Sequence, residues 1–268
     1  MASTVPSNEP MPEGDTIHYA ANRIRPVLLD RIPDEIRTPH PRFGRDRWPQ
    51  RLADRAVEAV EAHGKHLFLR FAGDLTIHSH LRMTGAWGVY PEGRRWGFSP
   101  RSAWLVLRAQ DTDVVQFHGP LLELLSETRR RFDLRLGMLG PDIIKEDFRE
   151  DVFLRRLRED DPTRGIGDAL LDQRTIAGIG NLWKAEACWL AQVDPWRPTA
   201  SVSDDEALRL VREAQPLMRQ SALDGNQKRH RHVYRAAGRP CPRCGTPIQS
   251  RGQGDDNRTT YWCPGCQT

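Results

Sequence analysis

The chain has 268 residues, 38% hydrophobic and 28% charged, with 40 Lys and Arg against 36 Asp and Glu for a formal net charge of +4. That length suits two or three modest domains, and no apolar run approaches the roughly 20 residues of a membrane helix, so a soluble, non-membrane protein is expected. The charge excess is too small to define a partner, but its distribution is informative. Lys228-Arg229-His230-Arg231-His232, followed by Arg235 and Arg239, gathers positive charge as a phosphate-binding surface would, or as a solvated basic linker would.

Residues 1–11 carry Ser, Asn, Glu and two prolines in no periodic pattern, and read as a disordered extension or a mis-assigned start. Their lack of a basic cluster and an apolar core argues against a secretory signal, so a cytoplasmic protein is expected. Ile17 to Leu29 has helical spacing, with Asp15 or Thr16 placed to cap it. From Ala56 to Phe117 the texture changes to short apolar runs. Ala56–Val60, His66–Phe71, Leu75–His80, Gly85–Tyr90, Trp104–Ala109 and Val114–Phe117 read as strands of an antiparallel sandwich or barrel. Turns are predicted at residues 72–74 and 110–113.

After Gly140-Pro141 the pattern becomes helical. Helices are predicted over Asp151–Arg158, Ile166–Leu171, Leu182–Leu190 and Asp204–Gln220, with a glycine-containing turn at residues 177–181. Four domains of chain follow from this reading: the extension 1–11, a β-sandwich over 12–135, a helical domain over 136–232 and a cysteine module over 233–268.

Cys241-Pro-Arg-Cys244 and Cys263-Pro-Gly-Cys266 are two Cys-x2-Cys pairs with 18 residues between them. Each pair can wrap one side of a tetrahedral metal, and two pairs close the site, so one structural zinc ion with no open position for water is predicted. Two disulfides are the competing arrangement, disfavoured without a secretion signal. Cys188 lies alone in an apolar helical stretch and reads as a small buried hydrophobe.

Three segments make the chain resemble the formamidopyrimidine-DNA glycosylase/endonuclease VIII family. Met11-Pro-Glu-Gly-Asp15 resembles the family's processed start, Leu170 to Leu182 (LLDQRTIAGIGNL) resembles its helix–two-turn–helix signature, and Tyr261-Trp-Cys-Pro-Gly-Cys-Gln267 resembles the end of its zinc hairpin. Together they span about 255 residues in the family's order. The resemblance implies a multidomain α/β protein: an N-terminal antiparallel β-sandwich with a flanking helix, a helix–two-turn–helix domain and a C-terminal zinc hairpin. It implies a monomeric base-excision enzyme whose partner is damaged DNA.

It also implies roles for particular residues. Pro12, as a first residue, would be a secondary-amine nucleophile forming an iminium at the sugar, and Glu13 the general acid for the ring oxygen, a role suited to a carboxyl raised by burial. Lys65 corresponds to a turn lysine that contacts phosphate and assists catalysis. Asn181, at a helix start, and Arg258, at a hairpin tip, would hold phosphates. Arg82 and Met83, in His80-Leu-Arg-Met-Thr-Gly85, match the loop that fills the gap left by an extruded base. Without the resemblance each of these also reads as an ordinary turn, cap, surface or core residue.

The chain departs from the family's pattern in several places. Ten residues precede Met11, and an internal Pro12 would have an amide nitrogen unable to form a Schiff base. Thr16 stands where many members carry Glu. Gly14 replaces the Leu of the oxidised-purine branch, and Gln116-Phe-His-Gly-Pro-Leu121 replaces that branch's arginine–phenylalanine loop. The endonuclease VIII-like branch, acting on oxidised pyrimidines, is favoured, although its usual Gln-Leu-Tyr wedge is replaced by Arg82-Met83-Thr84. The alternatives are an oxidised-purine glycosylase and a catalytically silent DNA-binding paralogue; an unrelated zinc-ribbon reader of nucleic acid would leave Pro12-Glu13 and the glycine turn unexplained.

Overall fold

The computed structural model describes residues 12–44 and 46–268, so the expectation for residues 1–11 lies outside the described residues. The chain divides into two compact units, one of residues 17–139 and one joining the segment that ends at Thr16 to residues 140–268. Among the described residues no helix is long and apolar enough to cross a membrane.

The first unit is an antiparallel sandwich. Helix α1 (Gly14–Leu28) leads into β1 (Glu35–Arg37), the short helices α2 (Pro41–Gly44) and α3 (Trp48–Leu52), and strands β2 (Val57–His63), β3 (His66–Phe71), β4 (Leu75–His80) and β5 (Ala86–Pro91). Strands β6 (Ala103–Ala109), β7 (Thr112–Phe117) and β8 (Leu121–Ser126) follow, then helices α4 (Glu127–Arg131) and α5 (Leu134–Gly137). One sheet has the order β1-β6-β7-β5 and the other β2-β3-β4-β8. Side chains alternate across a strand, so Leu67, Leu69 and Phe71 of β3 enter the core with Ile77, Leu105, Leu107 and Val114, and Ile17, Ala21, Ile24 and Leu28 of α1 complete it.

The six expected strands are present, but β1 and β8 were not anticipated. β1 has only three residues, too few to show a period. β8 reads Leu-Leu-Glu-Leu-Leu-Ser and buries only Leu122 and Leu125, so its leucines hide the alternation that marks a strand.

The second unit contains α6 (Glu150–Glu159), α7 (Ile166–Ala169), α8 (Asn181–Leu190), α9 (Asp204–Asp224) and a hairpin of β9 (Gln249–Gln253) and β10 (Arg258–Trp262). α8 is the axis of this unit, with every residue from Asn181 to Trp189 buried. α9 begins at a capping box, Ser203 accepting from the Glu206 amide while Glu206 accepts from the Ser203 amide, and ends at Gly225 with φ 70°. It runs four residues beyond its expected end at Gln220.

Asp15 does not serve as a solvent-facing cap. It lies fully buried in the first turn of α1, where it accepts hydrogen bonds from Ser221 Oγ (2.6 Å) and Gln227 Nε2 (3.1 Å). Burial pushes its carboxyl above the usual range, against these hydrogen bonds. The opening turn of α1 is thereby tied to α9 and to the segment after it.

Candidate active site

The Gly178-Ile-Gly-Asn181 turn delivers the chain into α8, and the first amides of a helix have no partner within it. Here a carboxylate supplies one. Glu13, only 1% exposed, accepts from the amides of Gly180 (2.9 Å), Leu182 (2.8 Å) and Trp183 (3.2 Å). A buried anion needs such compensation, and the positive end of the helix adds to it. The anion at this helix start is therefore the protein's own carboxylate, whereas the sequence suggested a phosphate. Pro12, the preceding residue, is only partly buried.

The approach is possible because three glycines lack side chains. A Cβ on Gly180 would lie 2.3 Å from Glu13 Cδ, and one on Gly14 would lie 2.7 Å from Gly178 Cα. The Gly14 amide donates to Gly178 O at 2.9 Å, and Gly178 has φ +106°. Gly14, noticed in the sequence only as a departure, has a steric cause here.

The same turn of α8 holds the hairpin. Asn181 Nδ2 donates to Thr259 O (2.8 Å), and Lys184 Nζ, fully buried, donates to Thr260 Oγ1 (2.6 Å). Arg258 opens β10, exposed, with an ion pair to Asp256 at 3.3 Å. Further along α8, buried Glu186 accepts from the amides of His232 (2.9 Å), Val233 (3.0 Å) and Tyr234 (2.8 Å), and from His232 Nδ1 (3.0 Å). The C-terminal part of the basic segment is thus anchored, not a free linker. Nothing in the sequence separated Lys184 and Glu186 from ordinary charged helix residues.

The four cysteine sulfurs lie within 4.8 Å of one another, with Cys241–Cys266 at 3.8 Å and Cys244–Cys263 at 3.4 Å. Tetrahedral zinc with Zn–S bonds of about 2.3 Å requires sulfurs roughly 3.8 Å apart, so the four residues fit one structural zinc ion. Trp189 Nε1 donates to Cys241 Sγ at 3.3 Å, stacks on His232 and lies under the Arg243 guanidinium, tying the cysteine module to α8. Cys188 is fully buried and its thiol is pushed up to about 12 by burial, which makes it a poor nucleophile.

In the sandwich unit, Lys65 sits half-buried in the β2–β3 turn after Gly64, whose φ is 54°. Arg82, with φ 47°, and Met83, 63% exposed, form the tip of the β4–β5 loop, closed by the Gly85 amide donating to Leu81 O at 2.9 Å. Met83 is thus not a core residue. Beneath the loop a cleft of about 240 Å³ is lined by His66, His78, His80, Arg82, Arg135 and two leucines. His66 Nδ1 lies 2.8 Å from His78 Nε2, and His78 Nδ1 lies 3.4 Å from Glu123 Oε2. Burial drives His66 down to about 2; burial, then the charges of Lys65 and Arg82, drive His80 to about 4. Both are neutral at pH 7. The His-x-His spacing in β4 was the available signal for this cluster.

Three family models match most of the chain. The formamidopyrimidine-DNA glycosylase N-terminal domain matches residues 11–121, the H2TH domain of that enzyme 139–231, and the zinc finger found in FPG and IleRS 238–268. The chain belongs to the formamidopyrimidine-DNA glycosylase/endonuclease 8 family. It is 39% identical, over 96% of its length and 94% of the relative's, to a Streptomyces coelicolor protein named "Probable endonuclease 8 2". It is 36% identical, over 96% and 99%, to the Mycolicibacterium smegmatis "DNA-(apurinic or apyrimidinic site) lyase Nei2", and 30% identical, over 96% and 98%, to a Thermus thermophilus formamidopyrimidine-DNA glycosylase. Its fold matches that of the Lactococcus lactis formamidopyrimidine-DNA glycosylase bound to abasic-site DNA, with a TM-score of 0.79, 25% identity, and 96% and 99% of the two chains covered.

Two outcomes are expected. Gly180→Ala places a methyl group inside the Glu13 carboxylate and should destabilise the helical unit by about 1–3 kcal/mol, the usual penalty for overpacking; a melting curve unchanged from wild type would refute the contact. Removing zinc with a chelator, or Cys244→Ser, should unfold the hairpin while leaving the sandwich folded. Hydrogen exchange restricted to residues beyond 238 is the expected pattern, and uniform protection would exclude a structural metal.

Proposed function

We propose that the chain, with Pro12 as its first residue, is a DNA glycosylase and abasic-site lyase of base excision repair that removes oxidised pyrimidines. The observation that carries this reading is the carboxylate of Glu13, fixed at the start of α8 immediately beside Pro12. A secondary amine next to an immobilised carboxyl group supplies both parts of the reaction. The Pro12 nitrogen forms a bond to the sugar C1′ and gives up its proton, and the bond from C1′ to the base breaks, the base leaving with its electron pair and taking a proton from water. The Glu13 carboxylate takes up the proton released by the Pro12 nitrogen and passes it to the ring oxygen, which opens the sugar. The resulting iminium withdraws electrons, so that a proton leaves C2′ and the 3′ phosphate departs; loss of a second proton, from C4′, then expels the 5′ phosphate, and water finally releases the nitrogen.

The supporting residues follow from their placement. Exposed Arg258 faces solvent at the hairpin tip and suits a phosphate. Asn181 has one amide hydrogen engaged with Thr259 and a second to give. Lys65 brings a charge to the same loop cluster as Arg82 and Met83, and exposed Met83 is long and apolar enough to enter a base gap. Zinc, held by Cys241, Cys244, Cys263 and Cys266, maintains the hairpin and takes no part in the chemistry.

The pyrimidine branch is supported by relatives named endonuclease 8 at 36–39% identity, against 29–30% for those named formamidopyrimidine-DNA glycosylase. Gly14 favours it as well. The oxidised-purine alternative would need another loop to occupy the gap, and an internal Pro12 would leave a DNA-binding protein without lyase chemistry.

Protein beginning at Pro12 should be trapped covalently on abasic DNA by borohydride, which reduces an iminium, whereas protein retaining residues 1–11 should not. Equal trapping by both would eliminate the proline nucleophile. Glu13→Gln should reduce excision of 5-hydroxyuracil by roughly 10²–10⁴-fold while sparing cleavage of a preformed abasic site, whose aldehyde opens unaided. Single-turnover excision at the wild-type rate would place the acid elsewhere, and preferential excision of 8-oxoguanine from duplex DNA would overturn the branch.

A further inference from the structure

Lys184 is an unusual residue for the centre of a fold. It is fully buried in α8, and burial pushes its ammonium down to about 8, with the positive Arg258 acting in the same direction. A methionine would fill a similar volume without the desolvation penalty, so the ammonium needs a reason to be there.

Its hydrogen bonding shows one. Lys184 Nζ donates to Thr260 Oγ1 (2.6 Å); the Thr260 hydroxyl, its oxygen so occupied, donates to Gln253 Oε1 (2.7 Å); and Gln253 Nε2 donates to Pro195 O (2.7 Å). Thr260 lies two residues beyond Arg258 on β10, and therefore on the same face of the strand. Gln253 is the residue directly opposite Arg258 on β9. One directional chain thus pins both neighbours of Arg258 in the ladder, while Asn181 pins the intervening Thr259 carbonyl. The chain starts in the helical turn whose amides hold Glu13.

We propose that Lys184 is a positioning residue: through Thr260 and Gln253 it sets the register of the hairpin, and so places the Arg258 guanidinium for a DNA phosphate. It does not touch DNA. The proposal rests on Arg258 being a phosphate contact, as argued above.

The test is a double-mutant cycle on the full zinc-loaded protein. Lys184→Met, Arg258→Ala and the double variant are compared for affinity to a duplex containing a tetrahydrofuran abasic analogue across a salt series. Zinc content and melting temperature are measured for each. Lys184→Met is expected to keep its zinc and to weaken binding roughly 5-fold or more, but to add less than about 2-fold in the Arg258→Ala background, because residues acting through one contact do not add. Both single variants should lower the salt dependence by about one phosphate contact. Thr260→Val, which breaks the chain from the other side, should behave as Lys184→Met does, and carries the test if Lys184→Met fails to fold. Additive losses, or an unchanged salt slope in Lys184→Met, would overturn the proposal. Weak Arg258→Ala beside normal Lys184→Met and Thr260→Val would reject it alone; normal binding by Arg258→Ala would remove the phosphate reading as well.

Discussion

The buried carboxylate of Glu13 is the constraint on which the rest of the helical unit depends. An ion without water must find donors, and a helix start has amides without acceptors. Each settles the other's deficit, and the pairing is specific because the donors come from one rigid turn. Its consequences spread outward. Gly180 must be bare to admit the carboxylate, and Gly14 and Gly178 must be bare to let the two backbones meet. Asp15, two residues on, is drawn into the interior and needs Ser221 and Gln227 to accommodate it. An adjacent Pro12 is held by this geometry to within one residue of a fixed acid.

α8 extends that logic. A helix buried on every side would ordinarily be apolar, yet α8 carries Asn181, Lys184 and Glu186 inward. Each organises a segment with little core of its own: Asn181 and Lys184 hold β10, and Glu186 holds the backbone of residues 232–234. The terminal hairpin is too small to be stabilised by apolar burial, so zinc fixes one end and these polar contacts fix the other. The hydrogen bonds made by Lys184 and Glu186 fix one arrangement of these segments more sharply than apolar packing would.

The sandwich unit solves a different problem, presenting a loop tip away from its core. Leu81 is buried on one side of the tip and Gly85 closes the other, which leaves Arg82 in the left-handed region and Met83 outside. Below it the outer face of β3 and β4 is furnished with neutral, stacked rings, Phe68 against His78 and His78 against His66. Their neutrality leaves the positive charge beside the loop tip to Lys65 and Arg82, since Arg135 is paired with Asp133 and Glu123.

Much of this architecture was legible in the chain itself, because local rules govern it. Short apolar runs between turn residues marked six strands, three- to four-residue spacing marked the longer helices, and the Cys-x2-Cys pairs defined a zinc site whose sulfurs do meet within 4.8 Å. The short strand Glu35–Arg37, the leucine-rich strand Leu121–Ser126 and the four- and five-residue helices of the sandwich unit escaped, since none is long or patterned enough to stand out. What no local rule could supply is the partner of a polar group distant in sequence. Glu13 lies 167 residues from Gly180, and Lys184 lies 76 from Thr260. In the linear chain Asn181 and its neighbouring amides suggested a phosphate site; folding brings a carboxylate there first. The sequence determined the longer elements and which metal the cysteines suit. Only the tertiary structure decided which charges are buried, because burial and hydrogen-bond partnership depend on what the rest of the chain places beside each group.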